Sequence, residues 1–384
     1  MKFLKKLLKW LALIIGIIVI SLYIFDYGYI LRGVRIVYFT GHTTAFIDDY
    51  PYFENDVIEN GNSIQPWPKH QDYNTVNETE KLSRVNKDWG TVAYVIIKND
   101  SVWFENYYDG FDENSKTNSF SMAKSIVSAM LGKAIMDGYI KSLDQPISDF
   151  YPQYKYAETT VGDLASMASG LDWVEHYTSP FSLTARANYD DDLAETILGQ
   201  KIVKTPGVEF EYLSGSTQLL GMIIQKATGQ QLAEYLSESF WQPMGTTSDA
   251  LWQLDDDENR LAKAFCCISS NAKDFARFGK LYKDHGKWNG KQLLDSAFVA
   301  KSITPRFKKS PEYGYGWWLK SYGNKNFFMM RGHLGQYVIV EPDDNVIIVR
   351  LGHRKSPDAN RKGVSPFTMD IITYIEEAYK MLEQ

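Results

Sequence analysis

Strand-forming patterns stand at both ends of this chain, and helical patterns fill its middle. The runs Thr91–Ile97 and Val102–Tyr108 are rich in β-branched and aromatic residues and flank a turn at 99–101, so they predict a hairpin. Helical patterns dominate residues 121–310, and a closing helix is predicted over about 365–382. Strand patterns return in four segments, at residues 314–320, 326–331, 337–341 and 345–351. This order predicts an α+β fold in which an antiparallel sheet, built from both ends of the chain, holds a large helical insertion.

An apolar run over Leu8–Phe25 follows a cluster of lysines at the amino end. As a helix it would be about 27 Å long, close to the ~30 Å hydrocarbon core of a bilayer. No small-residue cleavage site follows it, so residues 1–25 are predicted to be a retained signal anchor, with a cleaved signal as the alternative. The positive flank predicts a single-pass protein of the cell membrane, with its amino end inside and its catalytic domain periplasmic or extracellular.

The remaining residues divide into an arm and a domain. Residues 26–85 are aromatic and broken by prolines, which predicts an irregular arm packed on a domain over 86–384. The net charge of −6, with no basic block beyond the first nine residues, argues against nucleic acid as a partner. The sequence leaves the oligomeric state open.

Cysteine and histidine indicate no metal or cofactor. Cys266 and Cys267 are adjacent, which disfavours an unstrained disulfide between them and predicts two small buried hydrophobes. The six histidines are scattered without the spacing of metal ligands.

Candidate chemistry begins with Ser121-Met-Ala-Lys124 at the head of an apolar helical pattern. Residues three apart share a helix face, so the Lys124 amine would lie near the Ser121 hydroxyl. A serine nucleophile needs an adjacent base, and a lysine can serve if burial lowers its pKa. The alternative is a helix-capping serine beside a structural lysine, and Ser270–Lys273 matches the same short pattern.

Two later segments extend this arrangement. Tyr212, in Glu-Tyr-Leu-Ser-Gly, offers a phenol that could relay protons, although it could also be a core tyrosine. Gly332-His-Leu-Gly-Gln336 precedes a strand pattern and offers a second wall with open backbone N–H groups. Tyr177–Ser179 and Tyr322–Asn324 match the tyrosine pattern too, so the order and settings of the three segments carry the argument.

With three further segments, the chain resembles the serine β-lactamase and penicillin-binding superfamily, in its class C and esterase-like branch. The segments are Leu164–Trp173, Cys266–Gly279 and Trp288–Gly290. Within that branch, the chain is most similar to the 6-aminohexanoate-dimer (nylon-oligomer) hydrolase group, over roughly residues 85–380. The resemblance implies a β-lactamase/transpeptidase-like architecture with the active site between its sheet and its helical part.

The resemblance also implies roles for particular residues. Ser121 would be the nucleophile, Lys124 its base and Tyr212 the proton relay. The backbone N–H groups of Ser121 and Gln336 would form the oxyanion hole. The substrate would meet four further residues: His333, Gly335, Tyr177 and Trp173, the last of which could instead pack beneath the pocket.

His333-Leu-Gly335 departs from the Lys-Thr-Gly pattern of penicillin-recognising members. Imidazole is mostly neutral at pH 7, so recognition of a β-lactam carboxylate is weakened. We therefore expect a serine hydrolase that cleaves small esters or short amides outside the cytoplasm through an acyl-enzyme. The alternatives are a cell-wall DD-peptidase or β-lactamase, and a catalytically idle binding or sensor protein with the same fold.

Overall fold

The computed structural model describes residues 1–357 and 366–384. Its helices are α1 Lys2–Ile24, α2 Tyr29–Val37, α3 Glu80–Asp88, α4 Ala123–Met136, α5 Val161–Ala165, α6 Leu183–Tyr189, α7 Leu193–Leu198, α8 Ser214–Thr228, α9 Leu232–Leu236, α10 Ala272–Lys283, α11 Ser296–Ser302 and α12 Met369–Leu382. Its strands are β1 Asn55–Ile58, β2 Thr91–Lys98, β3 Ser101–Tyr107, β4 Thr117–Asn118, β5 Ala250–Gln253, β6 Ile268–Ser270, β7 Lys287–Trp288, β8 Lys291–Gln292, β9 Trp318–Tyr322, β10 Lys325–Gly332, β11 Gln336–Glu341 and β12 Val346–Gly352.

The main sheet has six strands in the order β3-β2-β12-β11-β10-β9, with every neighbouring pair antiparallel. Strands β2 and β12 join the two ends of the chain, with Ile96 opposite Ile348. The predicted α+β fold, with a sheet built from both ends and a helical insertion between them, is therefore confirmed.

The sheet is covered on both faces, which is why its central strands are buried almost throughout. On one face Gly279 of α10 packs against Val338 and Val340. On the other face α3 and α12 contribute Leu82 and Ile371 to a separate apolar cluster with the strands. The predicted start of the closing helix near Ser365 lies outside the described residues, and α12 begins at Met369.

A second sheet, in the order β1-β5-β6-β4, was not predicted from the sequence. Strands β5 and β6 come from the helical insertion, and β4 leads into the turn before α4. Strand β1 belongs to the segment 26–85, which also contains α2 and the start of α3. The prediction of an irregular arm is therefore wrong for these three elements, because pairing with β5 and capping of α3 by Thr79 give the segment regular structure.

Helix α1 has 23 residues, an 18-residue window within it has a mean hydropathy of 2.5, and none of its residues is buried. By length and composition it can cross a membrane, as either an anchor or a signal sequence. Asp26, just beyond it, forms an ion pair with Arg186 of α6, with Oδ2 and Nη1 2.6 Å apart.

The structure pairs Cys266 and Cys267 as a vicinal disulfide, so the prediction of two unpaired cysteines is wrong. Their predicted burial is confirmed. The prediction considered only that the two cysteines are adjacent, whereas the structure gives Cys267 a left-handed backbone (φ 75°).

Candidate active site

Ser121 lies on a single 3₁₀ turn, Phe120–Met122, between β4 and α4. Phe120 has a φ of 45°, a strained value for a residue with a Cβ, and its N–H donates to Asn118 Oδ1 at 2.8 Å. Strained backbone of this kind is held by its surroundings and clusters at functional sites. The turn presents the half-buried Ser121 at the head of α4, which is buried along most of its length.

The Lys124 amine donates a hydrogen bond to Ser121 Oγ at 3.0 Å and another to the Phe265 carbonyl at 2.8 Å. The side chain is only 3% exposed. Desolvation lowers the pKa of Lys124 to about 8, although the nearby Glu175 charge acts in the opposite direction. At pH 7 roughly a tenth of such amines are neutral, which is enough to supply a base.

The competing Ser270–Lys273 pair has no such arrangement. Ser270 is fully buried in β6. Lys273 instead forms ion pairs with Glu105, at 3.0 Å, and Glu113, at 2.5 Å, and these carboxylates raise its pKa. A charged lysine held by two carboxylates is a poor base, so this second motif is structural.

Tyr212 lies on the loop that leads into α8, and its ring centroid is 5.2 Å from the Lys124 amine. Burial raises the pKa of the phenol, and its hydrogen bond with Ser121 acts the other way. The structure thus brings Ser121, Lys124 and Tyr212 together. Tyr322, from the alternative Tyr-x-Asn segment, instead donates to Glu376 of α12 on the other face of the sheet.

Glu175 is a site residue that the sequence analysis missed. Its Oε1 accepts from the Trp173 indole at 3.0 Å and from the Ser214 backbone N–H at the start of α8. Its Oε2 is buried without a hydrogen-bond partner, and its charge raises the pKa of Lys124. Its position in the sequence, two residues before Tyr177, gave no sign of contacts with residues 39 positions further along the chain.

The end of β10 forms the opposite wall. A Cβ on Gly332 would lie 2.2 Å from the Ser119 carbonyl oxygen, so only glycine allows the strand to approach the nucleophile turn this closely. The His333 ring contacts the Phe120 ring edge-on at 5.5 Å and stacks with the Tyr177 ring at 5.8 Å. Desolvation, followed by the charge of Lys355, lowers the pKa of His333 to about 4, so its imidazole is neutral at pH 7.

The other predicted site residues, Gly335, Gln336 and Trp173, are held by packing and hydrogen bonds within the domain. Gly335 has a φ of 88°, and a Cβ there would lie 2.3 Å from Nη1 of Arg350, which donates to its carbonyl. Gln336 is fully buried, and its side-chain amide bonds to Gly352. Trp173 is 3% exposed and packs against Gly215, which favours packing beneath the pocket over lining it. The oxyanion role of Gln336 remains a prediction.

Within the described ranges, no three His, Cys, Asp or Glu side chains are grouped so as to hold a metal ion. The site therefore consists of a hydroxyl, an amine, a phenol and a carboxylate, with a neutral imidazole on its far wall. This set suits acyl transfer to a serine assisted by proton transfer.

Comparison with known proteins identifies the family of the chain. The family described as Beta-lactamase matches residues 80–370, so the chain belongs to the β-lactamase family. Among curated proteins, the chain is similar to the 6-aminohexanoate-dimer hydrolase of Paenarthrobacter ureafaciens. The two are 25% identical over 293 residues, which cover 70% of this chain and 74% of that protein.

Solved structures show the same fold. A protein of Bacillus anthracis, provisionally described as a 6-aminohexanoate-dimer hydrolase, superposes with a TM-score of 0.73 at 21% identity and covers 91% of this chain and 92% of its own. A penicillin-binding protein of Bacillus halodurans gives a TM-score of 0.62 at 17% identity, covering 77% and 99%. The predicted resemblance to the β-lactamase and penicillin-binding superfamily is thus confirmed, and the chain's homologues are hydrolases of this fold.

Proposed function

We propose that this protein is a membrane-anchored serine hydrolase that cleaves small esters or short amides outside the cytoplasm through an acyl-enzyme. The observation that carries the proposal is the 3.0 Å hydrogen bond between Lys124 and Ser121, made by an amine whose pKa burial lowers to about 8. No other described Ser-x-x-Lys pair has this combination. The proposal requires no cofactor.

Acylation uses the three clustered side chains. Ser121 Oγ attacks the carbonyl carbon while the neutral Lys124 amine takes the hydroxyl proton, so a C–O bond forms and the carbonyl oxygen becomes an oxyanion. We assign stabilisation of that charge to the backbone N–H groups of Ser121 and Gln336. The bond to the leaving group then breaks. Tyr212 donates its hydroxyl proton to the departing oxygen or nitrogen, and the protonated Lys124 amine returns a proton to Tyr212.

Deacylation repeats these chemical steps with water, instead of Ser121, as the attacking nucleophile. Lys124 accepts a proton from the water, whose oxygen attacks the ester carbon of the acyl-enzyme. The Ser121–acyl bond breaks, the serine regains its proton, and a carboxylic acid leaves. The same base serves both steps, because each begins by removing a proton from an attacking oxygen.

The wall opposite the nucleophile favours neutral substrates. A β-lactam carboxylate is held best by a fixed cation, and charge-assisted hydrogen bonds are roughly twice as strong as neutral ones. His333 is neutral at pH 7, and Leu334 has no hydroxyl. The similarity to a 6-aminohexanoate-dimer hydrolase supports an amide among the substrates, with Tyr177 placed against it from the loop over His333.

A fluorophosphonate probe tests this function. The probe should label the wild-type chain covalently and inhibit its hydrolysis of p-nitrophenyl butyrate. Ser121→Ala should lose both labelling and turnover by many orders of magnitude, because the nucleophile acts as a unit with its base. Ser270→Ala is the matched control and should keep both. Full activity in Ser121→Ala, or loss confined to Ser270→Ala, would refute the assignment.

A further inference from the structure

We propose that the mouth of the catalytic cleft faces the bilayer entered by α1, and that the natural substrate is an amphiphile whose hydrocarbon part stays in that bilayer. The proposal rests on the proposed function for the reacting ester or amide. The location of the cleft at the bilayer starts from contacts of Asp26, Tyr27 and Phe181, none of which has a proposed catalytic role.

The carboxyl end of α1 is fixed against the domain. Asp26 forms an ion pair with Arg186, whose guanidinium also lies 4.8 Å from the Tyr29 ring centroid. The Tyr27 ring packs edge-on against Phe181, with centroids 5.4 Å apart. A charge pair and two aromatic contacts leave no free linker between the apolar helix and this face of the domain, so the face lies where the helix leaves the membrane.

The same face carries the cleft. Phe120, which precedes the nucleophile, contacts the His333 ring, and His333 stacks with Tyr177. Tyr177 lies four residues before Phe181, a distance of at most about 14 Å along the backbone, and Phe181 contacts Tyr27. Two sets of aromatic contacts, one at the nucleophile turn and one at the end of α1, are therefore joined by the four-residue step from Tyr177 to Phe181.

The loop between these points carries three exposed apolar or aromatic side chains among polar ones. Val174, Tyr177 and Phe181, which we call the rim patch, are 67%, 58% and 64% exposed. Clustered exposed apolar side chains mark interaction surfaces, and aromatic residues are enriched where a protein meets the membrane–water interface. Because α1 emerges beside the rim patch, the bilayer is the apolar surface within its reach.

This placement defines the substrate class. A cleft that opens at the headgroup level can take a scissile ester or amide from a molecule whose tail remains in lipid. The His333 imidazole, which lies against Phe120 of the nucleophile turn, is itself uncharged at pH 7, and this favours an uncharged group beside the scissile bond. The substrate is thus an amphiphile with a small neutral reacting group.

The location can be measured without any catalysis. A single cysteine replaces Phe181 in one variant and Tyr139 in the control variant. Tyr139 is 49% exposed and follows the end of α4 that lies roughly 21 Å from Ser121. Each receives an NBD fluorophore, and the full chain is reconstituted into phosphatidylcholine vesicles containing nitroxide-labelled lipid. Cys266 and Cys267 are buried and paired, so they remain unlabelled. We expect quenching at position 181 and none at 139.

Either of two results would overturn the location. Equal quenching at both positions, or none at 181, removes the rim patch from the bilayer. In another outcome, lipid nitroxides do not affect the emission at position 181, but the emission changes with protein density. The rim patch would then contact a second copy of the chain rather than the bilayer.

The substrate class is tested with two esters that share one acyl group and one fluorophore. 4-Methylumbelliferyl butyrate is water-soluble, whereas the butyrate of 4-heptadecylumbelliferone resides in vesicles. Val174→Asp should lower turnover of the vesicle-bound ester about tenfold relative to the soluble one, because a charge replaces an apolar contact with lipid. Phe181→Asp should do the same, and Tyr139→Asp should leave the ratio unchanged.

The outcomes separate this inference from the proposed function. If the wild type cleaves neither ester, the hydrolase assignment fails while the fluorescence result stands. If it cleaves both and Val174→Asp and Phe181→Asp leave their ratio unchanged, the hydrolase assignment stands and the amphiphile assignment is wrong.

Discussion

Lys124 couples the chemistry of the site to pH through its environment. Its burial favours the neutral amine, whereas the Glu175 carboxylate favours the charged form. A base must be neutral to accept a proton, so the pH at which activity appears reports the balance between these two effects.

The pH profile therefore tests Glu175 directly. In the wild type, kcat/KM for a soluble ester should rise as pH increases through about 8, the pKa of Lys124. Glu175→Gln removes the negative charge that raises that pKa, so the rising limb should move to lower pH. Glu175→Asp keeps the charge and should restore the wild-type limb. A loss of activity with an unmoved limb would show that Glu175 acts only by holding Trp173 and Ser214 in place.

Tyr212 is expected to act on the rate rather than on affinity. Tyr212→Phe removes the hydroxyl that bonds to Ser121 but keeps the ring beside Lys124. We expect kcat to fall by about 10²–10⁴-fold with little change in KM, the usual size of a proton-transfer effect. Tyr322→Phe, in the other Tyr-x-Asn segment, is the matched control and should leave both constants unchanged. A rise in KM alone would make Tyr212 a wall of the pocket.

The contact between Ser121 and Lys124 could be predicted from the sequence because the two residues lie one helical turn apart, a local relation, and their catalytic roles stay a prediction. Glu175 could not be chosen in this way. Its importance comes from contacts with Ser214 and an electrostatic effect on Lys124, which only the folded chain brings near it. The disulfide was missed because adjacency was taken to disfavour a bond between the two cysteines. The left-handed backbone at Cys267 is a local feature that the sequence did not reveal.

At the scale of elements, long strands were predictable and short ones were not. Strand β2 begins at Thr91 and β11 ends at Glu341, both as predicted. Strands β4 and β6 have only two and three residues, and β1 pairs with β5 about 200 positions away. Such strands exist because a distant partner is present, so no local alternation of side chains marks them.

The approach of β10 to the nucleophile turn also belongs to this scale. Gly332→Ala would place a methyl group against the Ser119 carbonyl, so the strand must move away from Ser121. We expect a loss of about 1–3 kcal/mol in the free energy of unfolding together with lower turnover. Thermal unfolding and ester hydrolysis measure the two effects.

Gly323→Ala is the control for this substitution. Gly323 lies in the turn between β9 and β10, with open space around it and a φ of 59°, so alanine there costs about 1 kcal/mol of backbone strain without touching the site. Turnover should be retained. Unchanged stability and activity in Gly332→Ala would show that the close approach is not required.

At the scale of the whole molecule, we propose that α1 anchors the domain to a membrane. The full chain should sediment with membranes and keep its first residues, because a lysine cluster precedes the apolar run and no cleavage site follows it. Fractionation followed by amino-terminal sequencing checks this. A soluble product beginning near residue 26 would identify α1 as a cleaved signal and would leave the rim patch without its membrane.

The pairing of β2 with β12 also means that the main sheet cannot be completed until late in synthesis. Strand β2 is buried along nearly its whole length, yet one of its edges must wait for a partner made about 250 residues later. At about 5–20 residues per second, that edge stays unpaired on the ribosome for roughly 10–50 seconds. An unpaired apolar strand edge invites pairing with other chains. We therefore expect nascent chains of this protein to need protection by chaperones until β12 has been made.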